Sequence, residues 1–141
     1  MKTLLLTIVL AAATAAIADA APKHHGKIVS DEIHEVNLPT DDDGYPVLKK
    51  DQIIELGPHK IFGFHSHDDA LNFNKFIDSG SWQGPDDFDA ALKKYHGVRL
   101  DTTFHSAIVD NAENDNHLAL IDTGSEIYWI GTTGIEKAIT K

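Results

Sequence analysis

The chain has 141 residues, a formal net charge of −10 at pH 7, nine histidines and no cysteine. The missing thiols exclude disulfide staples, thiolate metal ligands and thiol redox chemistry, so apolar packing alone has to hold the fold. The acidic balance argues against nucleic acid and anionic membrane surfaces as partners, because both are polyanions that attract basic patches.

Met1-Lys2 precedes an apolar run at 4–17, LLLTIVLAAATAAI, and Ala18-Asp19-Ala20 places small residues where a signal peptidase cuts. The run is shorter than the ~20 apolar residues of a membrane-spanning helix. Residues 1–20 are therefore expected to be a secretory signal peptide removed after Ala20, which delivers the protein to an extracellular or periplasmic compartment. About 120 residues then remain, enough for one domain. Residues 21–50 form a polar stretch with three prolines and a DDDG turn, ending on Lys49-Lys50. They read as an N-terminal arm leading into an edge strand, or as a propeptide released at the dibasic pair. Residues 51–141 are expected to form a single globular α+β domain.

Within that domain, QIIEL (52–56) and KIFGFH (60–65) read as short strands joined through Gly57-Pro58. A helix over about 67–79 follows, with Ala70, Phe73, Phe76 and Ile77 on one face and Gly80 as its stop. After the GSWQG loop, Pro85 and the acidic pair Asp86-Asp87 suit the first turn of a second helix, about 85–96. Phe88, Ala91, Leu92 and Tyr95 make its buried stripe, and Gly97 its stop. VRL (98–100), TFHSAIV (103–109), HLALI (117–121) and EIYWI (126–130) read as strands, with DNAENDN and DTGS as turns. IEKAI near the end reads as one helical turn. The expected architecture is an antiparallel sheet of about five to six strands with two helices packed on one face.

The sharpest chemical signal is HSHDD at 65–69. In extended chain, residues two apart point to one side, so His65 and His67 can present two imidazoles to one ion, with Asp69 adding a carboxylate. Imidazole and carboxylate suit zinc and related divalent metals. His105 is a fourth candidate ligand if its strand pairs beside KIFGFH. The local plan, a strand followed by H-x-H-x-D and a helix, resembles the first motif of the metallo-β-lactamase superfamily over these five residues; that motif continues with a histidine where this chain has Ala70. A metal-bound hydroxide in such a site implies hydrolysis of an ester, amide or phosphoester. Helix initiation explains much of the same stretch, since Ser66 is a good N-cap and acids at 68 and 69 favour a first turn.

Four further features carry candidate chemistry. His24-His25 lies near the new N-terminus, but Pro22 lacks the amide that a tight copper or nickel site needs. His105 beside Asp101 or Asp122 would suit general acid–base catalysis. HLALIDTGSEIYW resembles the final strand and loop of the guanyl-specific microbial ribonucleases, with Asp122 where that family has its catalytic histidine; the resemblance implies a ribonuclease-like fold without activity. Trp82, in the polar loop between the helices, is the candidate ligand-binding aromatic, suited to a carbohydrate ring or a protein partner. With no complete catalytic set in view, the expectation is a non-catalytic binding or effector-like role. The alternative is a divalent-metal protein or small metal-dependent hydrolase built on His65, His67, Asp69 and His105.

Overall fold

The computed structural model describes residues 33–140. The expected signal peptide with its cut after Ala20, the His24-His25 pair and arm residues 21–32 lie outside the described residues. Residues Glu35–Thr140 form one compact unit. The chain runs β1 (His34–Asn37), β2 (Ile53–Glu55), β3 (Phe62–Phe64), α1 (His67–Asp78), α2 (Pro85–Lys94), β4 (Val98–Arg99) and β5 (Ser106–Glu113). A 3₁₀ turn (Asn114–Asn116), β6 (Leu118–Asp122), β7 (Ile127–Gly131) and β8 (Lys137–Thr140) complete it. The strands form one sheet in the order β1-β8-β2-β5-β6-β7-β3-β4. Pairing is antiparallel between β2 and both β5 and β8, along β5-β6-β7, and between β3 and both β7 and β4. The fold is α+β, with both helices where hydrophobic periodicity puts them.

Local chemistry sets the helix ends. Ser66 caps α1, its Oγ accepting from the Asp69 amide, while Asp68 and Asp69 sit against the positive end of the dipole. At the other end Ser79 Oγ donates to Phe76 O at 2.7 Å, and Gly80 takes a left-handed φ of 62°. Pro85 opens α2, and Lys93 and Lys94 close it. The residue that turns the chain out of α2 is His96, at φ 56°, rather than Gly97. Gly97 is needed for packing: a Cβ there would lie 2.4 Å from Leu92 Cδ1 and 2.6 Å from Phe64 Cε1.

Strand alternation divides the sheet into two packed faces. One face carries Ile54, Ala107, Val109, Ala119, Ile121, Tyr128, Ile130 and Ala138, joined by Leu38, Leu48, Ile61, Leu100 and Ile135 from flanking segments. The other carries Phe62, Phe64, Leu118 and Trp129, which meet Ala70, Phe73, Phe76 and Ile77 of α1 and Phe88, Ala91 and Leu92 of α2. Asn74 ties α1 to the sheet by donating to His117 O at 3.1 Å, and a Cβ on Gly131 would lie 2.4 Å from its Oδ1.

The strand count exceeds the expected five to six, because β1 and β8 add to the sheet. Residues 137–140, which overlap the IEKAI stretch (135–139) expected as a helical turn, instead form a strand paired with β2, Ile54 opposing Ala138 and Ile53 opposing Ile139. The short apolar spacing fits either structure, and the free edge of β2 decides between them. The fifth strand is also displaced. It starts at Ser106 and continues through Asp110 and Asn111, polar residues that read as a turn, by way of a bulge between Val109 and Asn111. QIIEL and KIFGFH do form strands, but they are not neighbours in the sheet. Residues 35–50 are built into the fold: Leu38 and Leu48 are buried, the DDDG turn is fastened by Asp41 Oδ1, and Leu48 exchanges two hydrogen bonds with the Asn114 side chain.

Candidate functional site

His65 follows the last residue of β3, and His67 is the first residue of α1. The switch from extended to helical chain between them breaks the same-side rule for residues two apart. The His65 ring stacks on Tyr128, 4.8 Å between centroids, and its Nε2 lies 3.6 Å from Glu126 Oε2. The His67 ring meets Trp129 edge-on at 4.7 Å, and its Nε2 is hydrogen-bonded to Glu113 Oε2 at 2.9 Å. Tyr128 and Trp129 face opposite sides of β7, so the two imidazoles follow them apart. Asp69 Oδ2 faces His96 Nδ1 at 3.4 Å, linking the start of α1 to the end of α2.

His105 is exposed in the loop before β5, and its carbonyl accepts from Leu56 N at 2.9 Å. Two strands, β6 and β7, stand between β5 and β3, so His105 does not sit on a strand beside His65. The carboxylates considered as its catalytic partners are engaged elsewhere. Asp101 holds Arg99 in a two-point pair at 2.8 and 2.9 Å and accepts from Ile61 N, and Asp122 accepts from Gly124 N in the β6–β7 turn. Among the described residues, no group of three or more His, Asp or Glu side chains is arranged to hold a metal ion.

These pairings set the local electrostatics. The hydrogen bond to Glu113 raises the His67 pKa above the ordinary histidine value, against the opposing effect of its partial burial, and Asp68 adds to the rise. Glu113 is correspondingly lowered, chiefly by His67 and also by the amide of Asn116. The Tyr128 hydroxyl donates to Glu126, and that bond together with burial pushes its pKa up to about 12. Arg99 holds the Asp101 carboxyl below the usual range.

An apolar opening lies elsewhere, between the helices and the sheet. It is a cleft of about 230 Å³ lined by Phe62, Phe64, Phe73, Ile77 and Phe88, with Lys60, Asn74, Asp78 and Thr133 supplying polar groups. Its aromatic wall is continuous: Phe73 lies 5.1 Å from Phe64, 5.8 Å from Phe62 and 5.5 Å from Phe88 between ring centroids. Trp82 is 41 % exposed and packs edge-on to Phe88, 6.0 Å between centroids. The loop tryptophan thus extends an aromatic wall rather than standing alone. Sequence reasoning placed Phe73 and Phe88 in the core but missed the cleft. Their helical spacing marks a buried face, and only docking on β3 leaves a gap beside it. No protein family, curated protein or solved structure matches this chain.

Proposed function

We propose that this chain is a non-catalytic, effector-like binding protein acting outside the cell, which holds a small ring-bearing, largely apolar molecule in the phenylalanine-lined cleft. The observation that carries the reading is the contact of exposed Trp82 with Phe88, which joins a solvent-facing ring to the wall of an apolar opening. Concave apolar sites with a few polar groups are the usual form of small-molecule sites. At about 230 Å³ the opening is smaller than the ~300–1,000 Å³ of pockets for drug-sized ligands. A ligand of about ten non-hydrogen atoms contributing ~0.5 kcal/mol each gives a Kd on the order of 10⁻⁴ M.

The test is titration with p-cresol, indole and a monosaccharide, followed by tryptophan fluorescence in a Trp129→Phe background. The expected result is saturable binding of p-cresol or indole that shields Trp82 from iodide, and its loss in Trp82→Ala and Phe88→Ala. Saturable binding of the sugar alone would assign Trp82 to a carbohydrate partner instead. An unaltered iodide response with every probe defeats the reading.

The metal alternative, a divalent-metal protein or small hydrolase on His65, His67, Asp69 and His105, requires His67 to leave Glu113 and His65 to leave Tyr128 before they share an ion. Zinc titration by calorimetry separates the two. Micromolar binding abolished by both His65→Ala and His67→Ala would favour the metal.

A further inference from the structure

Residues directly opposite one another on neighbouring strands place their side chains on the same face. Ile139 of β8 opposes Ile53 of β2, Ile53 opposes Ile108 of β5, Ile108 opposes Asp122 of β6, and Asp122 opposes Ile127 of β7. The result is a row of four isoleucines and one aspartate across five adjacent strands. It shares a face with Leu118 and Trp129, the face on which α1 and α2 pack. The main sheet contacts of α1 are to β3 and β7, however, and the isoleucine row lies outside both core clusters. Ile108 and Ile127 are 45 % and 50 % exposed.

Five strands about 4.8 Å apart make the row about 19 Å long, the length of a helix of about 13 residues laid across them. The fringe of the open strip is acidic. Asp122 interrupts the row, Asp110 follows Ile108 in the bulge, and Glu55 flanks Ile53 with its Oε2 buried and without a hydrogen-bond partner. Lys137, one register step along from the Ile54–Ala138 pair and so opposite Glu55, is held by Glu35 at 2.7 Å.

We propose that the isoleucine row across β8, β2, β5, β6 and β7, open among the described residues, seats a basic amphipathic helix of a partner protein. The partner's apolar stripe lies along the isoleucines and its Lys or Arg residues meet Asp122, Asp110 and Glu55. The same face already accepts two helices of this chain, so the geometry of helix on sheet continues, and the charge pattern selects a cationic partner over a second acidic copy. This surface is separate from the phenylalanine-lined cleft, and either can fail without the other.

The probes are two synthetic helical peptides of one length, both with a leucine stripe, one with lysine and one with glutamate on the opposite face. Binding to the purified chain is followed by fluorescence anisotropy at physiological salt. The lysine peptide should bind about tenfold or more tighter than the glutamate peptide. The I108T/I127T variant should lose about tenfold of that affinity with its circular dichroism unchanged, since both side chains are half exposed. If the double variant folds poorly, Ile108→Thr alone should give a smaller loss in the same direction. Equal binding to wild type and variant would reduce the effect to bulk charge and overturn the proposal, as would no binding at all. Sedimentation showing a wild-type dimer that I108T/I127T dissociates would assign the strip to a second copy and also overturn it.

Discussion

Phe73→Ala tests the aromatic wall on which both the fold and the proposed ligand site depend. Phe73 is 4 % exposed and lies within 6.3 Å, between ring centroids, of Phe62, Phe64, Phe76 and Phe88. Truncating a packed phenylalanine to alanine costs ~3–5 kcal/mol. One side of this ring borders the open cleft and has fewer atoms to lose contact with, which places the loss near the lower end, about 3 kcal/mol. Urea unfolding should show a lower midpoint with an unchanged slope, and thermal melting a fall of about 12 °C at ~4 °C per kcal/mol. The enlarged cavity should also take benzene, raising the Tm of the variant more than that of the wild type. A loss below about 1 kcal/mol with the same urea slope would refute the packing of α1 on β3 through this ring.

Three further outcomes follow from the structure. The paired shifts of His67 and Glu113 fix a pH dependence. The raised His67 pKa contributes stability that is complete below the ordinary histidine value near pH 6.5 and fades as pH rises through the folded value; the lowered Glu113 pKa contributes stability complete above about pH 4.5 and lost as pH falls through the folded value. The pair therefore contributes most between those two limits, and an NMR titration should show the His67 pKa falling in Glu113→Gln. Asp101→Ala removes the acceptor of both Arg99 and the Ile61 amide, and chemical denaturation should register a loss of ~1.5–3 kcal/mol. Gly63→Ala would put a Cβ 2.7 Å from Leu100 Cδ1 and 2.9 Å from the Tyr128 ring, and the same assay should show ~1–3 kcal/mol of overpacking.

The sequence determined what local chemistry can determine. The 3.6-residue spacing of Ala70, Phe73 and Ile77, the Ser66 cap, Pro85 and Gly80 carry enough information within a dozen residues to place both helices. Unbroken apolar runs bounded by turn residues did the same for β6 and β7. Tertiary structure decided the rest. Whether residues 137–140 became strand or helix depended on a free edge of β2, more than 80 residues away in the chain, and Asn111 became strand because β6 was there to pair with it, with Asp110 carried in the bulge. The two histidines of HSHDD read as one site because spacing rules assume one backbone conformation, whereas the chain changes conformation between them and sends each ring to a different carboxylate. The cleft beside Phe73 and the isoleucine row across five strands have no sequence signature, because each is made by residues brought together only through docking and register.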